Sequence, residues 1–262
     1  MGLKSRYGDW ALVTGASAGI GKEFAIALAK EGVSCAITAR REDRLRELAS
    51  ELESRYQVAT RVIPCDLAAV DGADRLASTV ADLPIAILVN NAGFGYSGRF
   101  EKLETERLRA MIQVNCVVPV VLTSLILPGM RKRGRGAMII VGSVAGYQPL
   151  PLHAVYSATK SFDLLFGEAL WGELRGTGID AIVLAPGATD TEFHEVAGER
   201  DIKGEPASNV VRVCLEALGH QPSVISGWFN WVRAQTLRVV PRALAVTIAR
   251  KVVEGYTPEA RR

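Results

Sequence analysis

Tyr156 and Lys160 are separated by Ser157, Ala158 and Thr159. On a helix, residues four apart share one face, one turn apart. Tyrosine ordinarily ionises near pH 10, too high for efficient proton transfer at neutral pH. An ammonium beside it stabilises the phenolate and pulls that pKa down. An acid/base group matched to the working pH contributes about 10²–10⁴ in rate. Upstream, Ser143 follows the apolar run Ala137–Gly142. A hydroxyl there can hold an oxygen that gains charge, without itself ionising. Together these groups could manage the proton on a carbonyl or alcohol oxygen. Each is commonplace alone: a solvated helix pair, a turn serine. The case for catalysis therefore rests on what accompanies them.

Near the start of the chain, the apolar run Trp10–Thr14 leads into Gly15-Ala16-Ser17-Ala18-Gly19-Ile20-Gly21, and a helix-period segment follows from Lys22 to Lys30. Gly15 permits a tight turn off a strand, Gly19 lets a pyrophosphate approach the backbone, and Gly21 permits close helix–sheet packing. The helix N-terminus would offer free N–H groups to phosphates, with Ser17 and Ile20 beside them. A glycine-rich turn is weak evidence on its own, but strand, turn and helix in succession is the context this motif requires.

The elements that must position these groups are legible as an alternation. Short Val/Ile/Ala-rich runs at Trp10–Thr14, Ser34–Ala39, Ala59–Pro64, Ile85–Asn90, Ala137–Gly142, Asp180–Ala185 and Ser223–Ser226 read as strands. Helices are expected to start near Gly19, Arg41, Val70, Glu104, Ala154 and Pro206. Continuously apolar strands imply a sheet covered on both faces. Right-handed crossovers then give an α/β fold: a doubly wound, parallel, seven-stranded sheet of Rossmann type. Residues 1–262 are expected to form a single domain, with 195–262 as a variable substrate lid and C-terminal extension.

The spacing Gly-x-x-x-Gly-x-Gly resembles the short-chain dehydrogenase/reductase family, whose fingerprint is Thr-Gly-x-x-x-Gly-x-Gly. The resemblance extends along the chain. Asn90-Asn91-Ala92-Gly93 is similar to the family's second signature, Asn115 falls at its active-site asparagine, and Ser143, Tyr156 and Lys160 fall at its catalytic positions. Pro186-Gly187 with Thr189 and Thr191 matches the segment after the sixth strand, and Asp66-Leu67 the adenine contact. The match weakens after about Glu195. The resemblance implies hydride transfer between a nicotinamide cofactor and a carbonyl or alcohol. It makes Tyr156 the acid/base and Ser143 the group holding the substrate oxygen. Lys160 would hold the nicotinamide ribose, and Asn115 would kink its helix and bind a relay water.

In that family the residue after the second strand faces the adenosine ribose. An acid there accepts from the 2′-OH, whereas arginine pairs with a 2′-phosphate. Here it is Arg40, followed by Arg41, so NADP(H) is the expected cofactor, with NAD(H) as the alternative. Some NADP-preferring relatives carry a second basic residue before the middle glycine; this chain has Ala18.

Phe94, Tyr96, Tyr147, Leu150, Leu152, His153 and Phe193, with Ser143, are the expected substrate walls, a mostly apolar lining suited to a hydrophobic ketone, aldehyde or secondary alcohol. A 3-oxoacyl-thioester reductase is the alternative; it needs a basic landing site for the carrier, for which Arg131-Lys132-Arg133 is a candidate, although a solvated helix end suits that cluster better. A dinucleotide-binding redox sensor without turnover is a third reading, which has no need of Ser143, Tyr156 and Lys160. The net charge of +3 and the dispersed basic residues point away from nucleic acid. Cys35, Cys65, Cys116 and Cys214 lack metal or redox spacing, so no metal site and a reducing compartment are expected. No apolar leader precedes Trp10, and the apolar run Cys116–Leu127 is interrupted by Pro119; a cytoplasmic protein is the expectation. Apolar faces at Val117–Leu127 and Phe162–Leu174 predict a homodimer or homotetramer. From Ala217 to Val253 the chain carries five basic residues and no acidic one, with Trp228, Phe229 and Trp231 near its start. A lid, a subunit contact or a membrane-surface contact would each suit that segment.

Overall fold

A computed structural model describes residues 2–200, 203–236 and 240–261. Seven strands form one parallel sheet: β1 Trp10–Thr14, β2 Ser34–Ala39, β3 Thr60–Pro64, β4 Ile85–Asn90, β5 Gly136–Val141, β6 Ile179–Ala185 and β7 Ser223–Ile225. Their order is β3-β2-β1-β4-β5-β6-β7. All pairings are parallel, and β1 lies against both β2 and β4. The strand order reverses there, which opens a crevice at the carboxyl edge between β1 and β4.

Eleven helices among the described residues connect or flank the strands. They are α1 Leu3–Tyr7, α2 Gly19–Lys30, α3 Glu42–Tyr56, α4 Gly72–Thr79, α5 Thr105–Ile112, α6 Val118–Arg133, α7 Ala154–Glu173, α8 Phe193–Ala197, α9 Ala207–Ala217, α10 Trp228–Thr236 and α11 Arg242–Tyr256. Strand periodicity divides the core. Ala11, Val13, Cys35, Ile37, Ile87 and Val89 pack with Phe24 and Leu28 of α2, Leu45 of α3 and Val210 of α9. The alternating neighbours Leu12, Ala36, Leu88, Met138 and Ile140 pack with Leu76 of α4, Leu122 and Met130 of α6 and Leu170 of α7. Both faces are thus covered, which is why the strands lack a polar alternation.

Helices α5 and α6 run into one another through a π-helical step at Gln113–Val117, where the Val118 amide donates to the Gln113 carbonyl. The continuous helix Thr105–Arg133 is long and apolar enough to cross a membrane by length and composition. Pro119 does not break this helix; it lies just past the π-helical step. One face of this helix packs against the sheet through Val114, Val118, Leu122, Ile126 and Met130.

Candidate active site

The glycine-rich turn joins β1 to α2. Gly15 has φ 68° and Gly19 φ 54°, left-handed conformations that suit glycine. A methyl at Gly19 would lie 2.7 Å from Thr191 Cγ2. A methyl at Gly21 would collide with the Gly15 carbonyl, so Gly21 serves packing and does not face the groove, whereas Gly15, Ser17, Gly19 and Ile20 line it. Thr14 Oγ1 accepts from the amides of Asn91 and Ala92, each at 2.9 Å, and donates to Val89 O at 3.1 Å. Asn91 Nδ2 donates to Thr14 O at 2.8 Å. Asn91, rather than the expected Asn90, therefore ties β4 to the turn and lines the groove. Asn90 is buried and donates to Thr123 Oγ1 at 3.3 Å. Neighbouring strand residues face opposite sides of a sheet, which explains the exchange.

Asp66, Leu67, Ala92, Gly93, Pro186, Gly187, Thr189 and Thr191 also line this groove. At its adenosine end stand Arg40 and Arg41. Arg41 donates to Ser17 Oγ from Nε at 3.3 Å and Nη2 at 3.1 Å, and it pairs with Glu192 at 2.7 Å. Arg44 meets the same carboxylate. Sequence reasoning named Arg40; the structure brings Arg41 to the turn as well. Glycines whose missing side chains leave the groove open, beside a cluster of guanidinium groups at its adenosine end, fit a dinucleotide.

At the other end, α7 presents Tyr156 and Lys160 to the end of β5, where Ser143 sits. Ser143 Oγ accepts from the Ala145 amide at 3.1 Å and hydrogen-bonds Tyr156. Lys160 Nζ donates to Val141 O at 2.8 Å and to Asp163 Oδ2 at 2.9 Å. Asp163 is 1% exposed, and no feature singled out in the sequence pointed to it. Its signal was an acid inside the otherwise apolar stretch Phe162–Phe166. Burial drives the Tyr156 phenol up; the Lys160 ammonium and the Ser143 bond oppose this, and the net direction is upward. The expected lowering by Lys160 is thus present but outweighed. Burial pulls the Lys160 ammonium down, but Asp163 and Tyr156 reverse this, and it ends above the usual range.

Asn115 lies in the π-helical step, outside the pocket surface. Its Oδ1 accepts from Phe94 N at 3.1 Å, and its Nδ2 donates to Phe94 O at 3.1 Å and Thr159 Oγ1 at 3.0 Å. It therefore clamps the Gly93–Phe94 backbone to α7. A methyl at Gly93 would sit 3.1 Å from Asn115 Oδ1 and 3.5 Å from Lys160 Nζ.

Cofactor groove and substrate walls form one cavity of about 660 Å³. Phe94, Ser143, Leu150, His153 and Phe193 line it as expected; Phe193 and Tyr156 have ring centroids 5.4 Å apart. Tyr96 and Tyr147 do not line it. Tyr96 packs with Met111 and Leu150, and Gln148 takes the place assigned to Tyr147. The lining is also less apolar than expected. His153 Nε2 lies 3.1 Å and His194 Nδ1 2.7 Å from the carboxylate of Glu199, and the His153 and Glu199 side chains are each 3% exposed. Burial lowers the His153 pKa, against an opposing pull from Glu199. Glu199 lay beyond the region where sequence motifs could assign roles.

From the C-terminal segment, Asn230, Arg233, Ala234 and Tyr256 line the cavity, whereas Trp228, Phe229 and Trp231 are exposed. Residues 201–202, 237–239 and 262 of this segment, including Arg238 among its basic residues, lie outside the described ones. Arg131-Lys132-Arg133 ends α6, and Arg133 donates to the carbonyl of Ile85 at the start of β4. That is the amino edge of the sheet, opposite the cavity, so the cluster is no landing site for a substrate.

Residues 9–201 match the short chain dehydrogenase family. The chain is 34% identical over 247 residues to the very-long-chain 3-oxoacyl-CoA reductase of Homo sapiens, covering 88% of this chain and 79% of that one. It is similar in fold to a 7beta-hydroxysteroid dehydrogenase, with a TM-score of 0.88 and 27% identity over 95% of this chain and 99% of that one. A short-chain dehydrogenase from Sphingobium yanoikuyae in complex with NADPH gives 0.79 and 28%, over 90% and 97%. Fold, groove and matched sequence agree: the chain belongs to the short-chain dehydrogenase/reductase family and is an NAD(P)-dependent oxidoreductase acting on CH–OH and C=O groups.

Proposed function

We propose that the protein is an NADP(H)-preferring reductase of bulky hydrophobic ketones, and that 3-oxoacyl thioesters are the favoured members of that class. The observation that carries the first part is Tyr156, with Ser143 and Lys160 beside it, facing a cavity walled by Phe94, Leu150 and Phe193. The thioester preference is supported by relatives with that printed activity at 29–38% identity.

A bound nicotinamide nucleotide would supply the hydride. Gly15, Gly19, Ile20 and Gly93 would hold it, with Lys160 at its ribose and Arg40 and Arg41 at a 2′-phosphate. Ser143 then orients the substrate oxygen and Tyr156 Oη donates its proton. Lys160 stabilises the resulting phenolate, and Asn115 holds the Gly93–Phe94 wall in place. The described residues on either side of α9 and β7 serve as the lid, through Glu199, Arg233 and Tyr256. Exposed Val117, Val120 and Leu125 of the α6 side and Phe162 and Leu165 of α7 form the self-association face of a dimer or tetramer.

The test follows NADPH and NADH oxidation with ketones, steroids and 3-oxoacyl thioesters, with Tyr156→Phe alongside. The variant should bind NADPH normally and lose at least about 10²-fold in kcat. Turnover surviving in Tyr156→Phe would overturn the assignment. Sedimentation showing only monomer at micromolar concentration would remove the self-association face.

A further inference from the structure

A second cleft, of about 500 Å³, lies across the lid segment from the catalytic cavity. Arg41, Arg44, Arg107 and Arg261 line it, with Glu192, Glu195 and Val196. Glu192 is already engaged by Arg41 and Arg44. Arg107 and Arg261 have no carboxylate partner within ion-pair distance among the described residues. Their guanidinium carbons nonetheless lie 4.3 and 5.8 Å from the centroid of one ring, Tyr96. Each also donates to a lid carbonyl, Arg107 to Val196 O at 2.5 Å and Arg261 to Ala197 O at 3.3 Å. Two like charges brought to one ring repel one another. An anion between them converts that cost into charge-assisted, bidentate bonding, for which guanidinium groups are suited.

The position of the cleft narrows the anion. Arg41, Glu192 and Val196 line both cavities, so the two adjoin. Phe193 of α8 packs on Tyr156, while Val196 of the same short helix meets Arg107. Helix α8 thus touches the catalytic tyrosine through its first residue and a cleft arginine through the backbone of its fourth. A small ketone would not reach them. A thioester would, because its pantetheine arm leads away from the acyl group to phosphates.

We propose that this cleft binds the phosphate groups of a coenzyme A thioester, with Arg107 and Arg261 as its principal contacts. The proposal rests on the thioester reading above. Phosphates here explain why the unpaired arginines stand at the lid, and not at Arg131–Arg133 on the opposite edge.

The experiment compares 3-oxodecanoyl-CoA with the phosphate-free N-acetylcysteamine thioester of the same acid, at saturating NADPH. Wild type should show a KM for the CoA thioester at least about tenfold lower, with similar kcat, as one or two charge-assisted contacts would give. Combined Arg107→Gln and Arg261→Gln should erase that difference and leave the N-acetylcysteamine reaction unchanged. The corresponding lysine variants should keep most of it. Equal KM values in wild type, or equal losses on both substrates in the glutamine variant, would overturn the site. If neither thioester turns over while ketones do, the thioester reading fails. Calorimetric titration of the NADPH-loaded protein with free coenzyme A then decides the cleft. Binding lost in the glutamine variant sustains it, and absence of binding to wild type ends it.

Discussion

Replacing Asp163 by asparagine should move the pH dependence of catalysis. Asp163 and Lys160 form a buried pair at 2.9 Å, and the Asp163 charge also acts on Tyr156. Tyr156 and Asp163 are seven residues apart on α7, which at 1.5 Å per residue is about 10 Å. With an effective dielectric constant near 20, a unit charge at that distance is worth about 1.6 kcal/mol. That corresponds to about one pH unit. The sign follows from the charge: an anion disfavours phenolate, so removing it lowers the Tyr156 pKa. Alcohol oxidation requires Tyr156 to accept a proton. The acid limb of kcat/KM for oxidation should therefore shift about one unit toward lower pH in Asp163→Asn, while Asp163→Glu keeps the wild-type profile. The amide retains the shape of the carboxylate and can still accept from Lys160, so folding should survive. The assay is NADP+ reduction from pH 5 to 10 with the alcohol product of the best ketone. An acid limb that stays in place, in a variant of normal thermal stability, would refute the electrostatic coupling.

Arg40→Ser with Arg41→Ser should raise the KM for NADPH by at least about 10–100-fold and leave NADH little changed, since one lost charge-assisted bond alone is worth about 1.5–3 kcal/mol; equal effects on both cofactors would count against the 2′-phosphate reading. Gly21→Ala puts a methyl against the Gly15 carbonyl and Asn91 Nδ2. It should cost about 1–3 kcal/mol of stability, and an unchanged melting temperature would contradict the packing role. Burial holds the His153 pKa below its ordinary value. The folded state therefore loses stability as pH falls below about 6.5, where the unfolded chain takes up the proton. His153→Gln should flatten the acid side of the melting-temperature profile between about pH 6.5 and 5, and an identical slope in both proteins would refute this.

Much of this was legible because the sheet is simple. The strands are short, continuous apolar runs, and Tyr156 and Lys160 declare their shared face by a spacing of four. What remained hidden depended on orientation across elements. Asn90 and Asn91 differ by one residue and so by one face of the sheet. Tyr96 and Tyr147 belong to the expected loops, but each loop turns the ring away from the cavity. Asp163 carries no motif, and its role emerges only where β5 brings the Val141 carbonyl to Lys160 beside it. Of the two readings of the Arg131–Arg133 cluster, the solvated helix end holds, and its place follows from topology. A helix that leads into a parallel strand ends at the amino edge of the sheet, away from the crevice where ligands bind.

The π-helical step at Gln113–Val117 sets the phase between the two halves of one long helix. An α-helix turns about 100° per residue, and the wider turn, closed over five residues instead of four, takes up one residue more than a regular turn. Forcing these positions into regular α-helix with the same number of residues would rotate α6 by about that angle relative to α5. Met111 is fully buried on one side of the step, and Val118, Leu122, Ile126 and Met130 are anchored on the other. They could not all remain buried after such a rotation, and Asn115 would swing away from Phe94. The helix can therefore lose its wide turn only together with one residue.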